Sequence, residues 1–386
     1  MADTGYSEIC KKYYKMNLQR YESLQAFFRV LISTVLQEIC IDVFISSDID
    51  GRKANDMIVY FCYTMQLADY YEPVKKAVED MGGKWLGIGN QLDKMQLDAL
   101  RQYSVVRKLV KFPVLTKRKR EVFEQYCADL PNDKELILIF TLAWVDFILN
   151  GFVEYVKEKC QKKGQIVKTV LYLQDISAHY GRMLDVRYYK RIFDHIITFD
   201  PADAKKCGFV LYEGRPYSKL RIEDSSETVT SDVFFCGYAK NRLDKILKMY
   251  EVLTKQGLIC DFYISGVPQD KQEHSDKIVY NQYISYRDSI QHVKNSKCIL
   301  EITQKEQTGY SLRTLEAMLY EKKLISDNEH LREAVFYHED NIMISGSGMP
   351  VDYKSFLEKP YLKTSGNDSY MKQLSCEKFL EFINSL

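Results

Sequence analysis

The stretch EQTGYSLRTLEAMLYEKKLIS, residues 306–326, decides how the chain is read. It opens on small and polar residues around Gly309 and Ser311, and runs into a helix-like segment carrying Arg313 and Glu316. It ends in the apolar pair Leu324–Ile325. Ser311 is a good N-cap, because its hydroxyl can accept a backbone N–H of the first helical turn. Gly309 leaves the preceding loop free to lie close to a ligand. Backbone N–H groups near Tyr310, Ser311 and Leu312 would then face an anion at the positive end of a helix dipole. Arg313 can add charge-assisted bonds to phosphate oxygens, and Glu316, one turn on, can accept from ribose hydroxyls. A plainer account stands beside this one, in which Ser311 caps, Arg313 and Glu316 pair with other side chains, and nothing binds.

Outward from that stretch, short apolar runs alternate with amphipathic segments. DVFFCG, CDFYISG, KCILEI and KLIS read as strands, and RLDKILKMYEVLTKQG, YRDSIQHVKNS and SLRTLEAMLYE as helices between them. The same rhythm precedes them. MIVYFC (57–62), KWLGIG, ELILIF (135–140), TVLYLQDI, HIITFD and FVLYEG are strand-like, with helical segments such as FVEYVKEKCQKK, VRYYKRIFD and PADAKKCG in between. Strand–helix–strand repetition with continuously apolar strands indicates parallel sheets covered on both faces. Residues 213–231 break the rhythm with Gly, Pro, Ser and charges and form the candidate linker. The expected architecture is α/β, with two Rossmann-like domains facing a central cleft: residues 1–218, then 219–365. A helical N-terminal segment is read from Leu18, Tyr21, Leu24, Phe28, Leu31, Val35 and Ile39. A final helix within 366–386 is expected to cross back onto the first domain.

DVFFCGYAKNRLDKIL (232–247) repeats the strand, glycine turn and helix start. Gly237 permits a tight turn, and Lys240 and Arg242 lie where they could neutralise a phosphate. The alternative is a simple turn with a solvated arginine.

Charge is nearly balanced, 54 Lys and Arg against 53 Asp and Glu, so a chain-wide basic field for nucleic acid is not indicated. Ten scattered cysteines without a C-x-x-C pair read as reduced thiols. With six histidines and no H-E-x-x-H, no resident metal or cofactor is expected. The polar start MADTGYSEICKKYYK shows no signal peptide, and no apolar run reaches the roughly 18 residues a membrane span needs. A soluble, cytoplasmic protein is expected. SVVRKLVKFPVLTKRKR (104–120) carries seven basic residues and no acid. It is either a solvated face or a peripheral contact with anionic lipid at the inner face of the membrane.

Four segments in order, FFCGYAKNRL, DFYISG, ISYRDSIQHVKNSKCILEI and GYSLRTLEAMLYEKKLIS, resemble the C-terminal, nucleotide-sugar-binding domain of GT-B-fold glycosyltransferases. The chain looks most similar to the bacterial members that build capsule and lipopolysaccharide oligosaccharides, over residues 135 to about 345. The resemblance implies a nucleotide-diphosphate sugar donor, a glycan or lipid-linked acceptor, and a ribose contact at Glu316. Many retaining members carry a further glutamate eight positions earlier; Thr308 stands there, and the nearest acid is Glu306. Retention and inversion both stay open. An inverting enzyme needs a base in the first domain. Asp175 and His179, in YLQDISAHY after a strand, are the candidates, with Asp146 and Glu213 as rivals. The other readings are a nucleotide-sugar epimerase of the same fold and a non-catalytic binding or assembly protein.

Overall fold

The structure is a computed structural model that describes residues 57–62, 68–87, 117–180, 185–217, 228–304, 307–345 and 351–386. All of them belong to the compact unit Asp56–Leu386. The expected N-terminal helix and the middle of the 213–231 linker lie outside the described residues.

The apolar runs become two parallel six-stranded sheets. The first contains β1 (Met57–Cys62), β2 (Lys84–Gly87), β3 (Glu135–Thr141), β4 (Ile166–Tyr172), β5 (His195–Thr198) and β6 (Val210–Leu211). Their order is β2-β1-β3-β4-β5-β6. The second contains β7 (Ser231–Tyr238), β8 (Cys260–Ser265), β9 (Val279–Tyr280), β10 (Ser296–Glu301), β11 (Lys323–Ser326) and β12 (Ile342–Ile344). Its order, β12-β11-β10-β7-β8-β9, is that of a doubly wound Rossmann-type sheet, with the reversal between β7 and β10.

Around the first sheet lie α1 (Ala68–Asp80), α2 (Lys117–Ala128), α3 (Val145–Leu149), α4 (Phe152–Lys162), α5 (Ser177–Tyr180), α6 (Val186–Ile192) and α7 (Pro201–Cys207). Around the second lie α8 (Leu243–Lys255), α9 (Tyr286–Lys294), α10 (Leu312–Leu319) and α11 (Tyr353–Glu358). The chain ends in α12 (Ser365–Gln373) and α13 (Cys376–Ser385). None of the described helices is long and apolar enough to cross a membrane.

Why the strands read as unbroken apolar runs is visible in β3. Leu136, Leu138 and Phe140 enter one core cluster, with α2, α4 and α6. Ile137 and Ile139, on the opposite face, enter another, with α1. A strand buried on both faces has no polar alternation to show. The β7 residues divide likewise: Val233 and Phe235 pack with α8, while Phe234 faces α9 and α10.

The cluster between the sheets joins both halves. It holds Tyr70, Tyr71 and Val78 of α1, Ile290 of α9, Leu315 and Met318 of α10, and Phe379, Leu380 and Ile383 of α13. The chain end is fixed to the first half by Tyr217 N–H donating to Leu374 O at 2.9 Å and by the Tyr212 hydroxyl donating to Gln373 O at 2.7 Å. The Phe379 ring then seats 4.8 Å from that of Tyr172.

Candidate functional site

The carboxyl ends of β7 and β10 mark the point where strand order reverses, and three cations converge there. A Cβ on Gly237 would stand 2.6 Å from Arg313 Nη2, so the missing side chain is what lets the guanidinium lie across the end of β7. Lys240 follows with φ +47, a left-handed conformation uncommon outside glycine. Arg242, the N-cap of α8, donates to Tyr238 O at 3.2 Å and to Ile302 O, tying β7 to the segment after β10. Burial, and then the nearby Arg313, push the Arg242 guanidinium down to about 10. Lys240 is lowered too, by burial first, with Arg242 and Arg313 adding to it against the pull of Asp175. Among the described residues no carboxylate oxygen lies within ion-pair distance of Arg313. Cations whose charged forms are disfavoured by one another are what a multiply charged anion would relieve.

Behind Arg313 the start of α10 is fixed by a carboxylate that local sequence pattern did not expose. Glu301, at the end of β10, is buried, and one of its oxygens accepts the Ser311 and Thr314 hydroxyls. Its other oxygen accepts the Ser326 hydroxyl. Ser311 also caps as expected, accepting the Arg313 N–H at 3.1 Å.

The remaining residues of this stretch sit differently from the expectation. Tyr310 packs its ring 5.1 Å from Phe336 and 5.8 Å from Tyr370, and Leu312 packs against the central core. Gly309 does permit a close approach, but to protein. Its Cβ would meet Phe199 O at 2.8 Å, and its N–H donates to Asp200 Oδ2 at 2.7 Å. Glu316 is buried, with the Tyr286 hydroxyl donating to it. Burial outweighs Arg313 and Tyr286, and the carboxyl rises to about 7.

From the first half, the segment after β4 brings Asp175 and His179 to the same place. His179 Nδ1 lies 2.6 Å from Asp175 Oδ1, 3.1 Å from Lys240 Nζ and 3.2 Å from Gln304 Nε2. Lys240 Nζ is also 3.4 Å from Asp175 Oδ2. Asp175 can only accept at Nδ1, whereas Lys240 and Gln304 can only donate to it; in the tautomer that bonds Asp175, Nε2 carries the lone pair, and it is buried with no partner among the described residues. Burial alone would raise Asp175, but His179, Lys240 and the Ile176 N–H outweigh it and hold the carboxyl below its ordinary value. Of the rivals, Asp146 falls on α3, and Glu213 follows β6, where its carbonyl oxygen accepts the Tyr370 hydroxyl at 2.8 Å.

Of the basic run, residues 104–116 lie outside the described residues; 117–120 open α2, with Lys119 buried. Among the described residues Glu251, Glu273 and His274 could hold a metal ion, their ligand atoms lying within 4.8 Å of one another.

Glu301, Gln304, Asp200 and Asp203 are the site partners that the sequence reading missed. Asp200-Pro201 had a signal, a cap followed by proline at the first helical position, but it points to a helix start and not to a partner more than a hundred residues away.

No family model and no curated protein matches the chain. Solved structures of similar outline include the catalytic domain of starch synthase IV from Arabidopsis thaliana bound to ADP and acarbose. It shares 10% identity at a TM-score of 0.47, over 86% of this chain and 99% of that one. Anabaena HepE in complex with UDP shares 12% identity at a TM-score of 0.46, over 86% of this chain and 100% of that one. A UDP-forming trehalose-phosphate synthase from Burkholderia xenovorans shares 10% identity at a TM-score of 0.46, over 86% and 97%.

Proposed function

We propose that the chain is a glycosyltransferase that moves a sugar from a nucleotide-diphosphate donor to an acceptor hydroxyl. The observation that carries this reading is the convergence of Lys240, Arg242 and Arg313 at the reversal of the second sheet, against the His179–Asp175 pair from the first. The cations would hold the diphosphate and stabilise the negative charge that grows on it as it leaves. His179 Nε2 would take the proton of the acceptor hydroxyl as its oxygen attacks the anomeric carbon. The bond from that carbon to the phosphate oxygen breaks, and the electron pair departs with the diphosphate. Asp175 would stabilise the imidazolium that forms. One displacement of this kind inverts the anomeric centre. With three side-chain cations available to the phosphates, the reading needs no divalent ion. We place the acceptor among the glycans or lipid-linked saccharides of cell-surface polysaccharide synthesis, on the resemblance of the four quoted segments.

The test is binding and turnover with UDP-, GDP-, ADP-, CMP- and dTDP-linked sugars, using thermal stability as the first readout. One nucleotide class should raise the melting temperature. Arg313→Ala should weaken that binding by tenfold to about a hundredfold, the usual range for a lost bond to a charged group. Gly237→Ala should do the same with the fold intact, because its Cβ clashes only with the movable end of Arg313, Arg242 Nη2 lying at an ordinary 3.6 Å. His179→Ala should bind donor normally and lose about 10²–10⁴ in turnover. Absence of any stabilisation at millimolar donor would sink the proposal.

A further inference from the structure

Helix α7 stands between the two sides of the site, with two buried carboxylates around its first turn. Asp200, the N-cap, is 0% exposed and Asp203 6%. Among the described residues neither is in an ion pair with a cation. A buried carboxylate without counter-charge is tolerated only when its lone pairs are taken by hydrogen-bond donors. Here those donors come from two segments far apart in the chain.

Asp200 reaches into the second half. Its Oδ2 accepts the Thr308 and Gly309 N–H groups, both at 2.7 Å. Its Oδ1 accepts the Asp203 N–H at 3.0 Å and the Thr308 hydroxyl at 3.1 Å, while Thr308 Oγ1 accepts the Ala202 N–H at 3.2 Å. Asp203 turns the other way, accepting the Ser177 N–H and hydroxyl, each at 2.5 Å. Ser177 lies midway between Asp175 and His179 in the chain and opens α5, the turn that carries His179. Thr308 precedes Ser311 and Arg313 on the loop that enters α10.

We propose that Asp200 and Asp203 are the positioning residues of this site, one for each half. Asp200 sets the 308–311 loop, and through it the direction of Arg313. Asp203 sets Ser177, and through it the aim of the His179–Asp175 pair. The proposal rests on the transferase reading above for what the two halves do. It also accounts for Thr308: a carboxylate is held against this position after all, delivered from the opposite sheet and spent on backbone geometry.

The test uses the full chain and two variants on each arm. Asp200→Asn leaves one acceptor oxygen where two are needed, and Thr308→Val removes only the hydroxyl. Asp203→Asn and Ser177→Ala do the same for the other arm. Two quantities are read: calorimetric affinity for the nucleoside diphosphate that binds the unaltered chain, and the titration of the His179 imidazole by NMR.

Asp200→Asn and Thr308→Val should weaken nucleotide binding about tenfold and leave the His179 titration in place. Asp203→Asn and Ser177→Ala should move that titration and change affinity by less than about twofold, and Ser177→Thr, which keeps the hydroxyl, should restore it. Unchanged affinity in both Asp200-arm variants, an unmoved titration in both Asp203-arm variants, or the same changes on both arms would overturn the proposal. If the unaltered chain binds no nucleoside diphosphate, the transferase reading fails separately. Hydrogen exchange over residues 307–315 then decides the Asp200 arm: faster exchange in Asp200→Asn and Thr308→Val but not in the Asp203-arm variants supports it, and equal exchange overturns it.

Discussion

Glu316 is a carboxyl enclosed by apolar packing, with the Tyr286 hydroxyl and the Arg313 charge as its polar company. Its rise from the ordinary 4.5 to about 7 has a consequence for stability. The folded chain holds this proton more tightly than the unfolded chain, so the favourable contribution is complete below pH 4.5 and is lost as pH rises to about 7. Glu316→Gln removes the titration. Its urea denaturation midpoint should match the unaltered chain at pH 4.5 and exceed it at pH 8, by on the order of 2–3 kcal/mol once converted with the denaturation slope. Equal pH dependence in the two proteins would show that Glu316 is more solvated than its packing indicates. Gly237 and Gly309 look alike in the sequence, each following a strand and preceding a helix. What separates them is the neighbour that a Cβ would strike, a movable guanidinium at one and the Phe199 backbone at the other. That difference depends on a partner from another element, which no local pattern records.

At the scale of elements, the segment 307–311 is pressed on the corner between β5 and α7 closely enough to require glycine. Gly309→Ala would place a methyl 2.8 Å from Phe199 O and 2.9 Å from its ring, with Asp200 Cα at 3.1 Å. Since these are largely backbone atoms, the loop has to move, and the expected loss is about 1–3 kcal/mol, measured by urea unfolding. A stability within error of the unaltered chain would mean that the corner can yield. The strands were the legible elements, because burial on both faces gives β3, β4, β7 and β10 each an apolar stretch of three or more residues. β9 and β12, at two and three residues, were too short to leave a pattern, and FVLYEG contributes only Val210–Leu211 to its sheet. Ser311 announced itself as a cap because capping is local. The Asp200–Gly309 bonds span 109 positions and did not.

For the molecule as a whole, the central core belongs to neither sheet alone. Helix α13 enters it from the end of the chain, and Phe379, fully buried, lies 4.8 Å from the Tyr172 ring and 5.2 Å from Tyr212. Phe379→Ala should therefore cost about 3–5 kcal/mol in chemical denaturation, although it lies far in sequence from both sheets. A loss below about 1 kcal/mol would mean that α13 is only loosely applied. The tyrosines at this junction also tie the two halves to each other. Tyr217 comes from the first half and Tyr286 from the second; their hydroxyls are bonded, and Tyr70 stacks 5.8 Å from Tyr217 and edge-on to Tyr286 at 5.5 Å. Parting the halves here would break that bond and open the apolar packing around Glu316 to water. The seam is therefore closed by a polar bond set inside apolar packing, and separating it costs both at once.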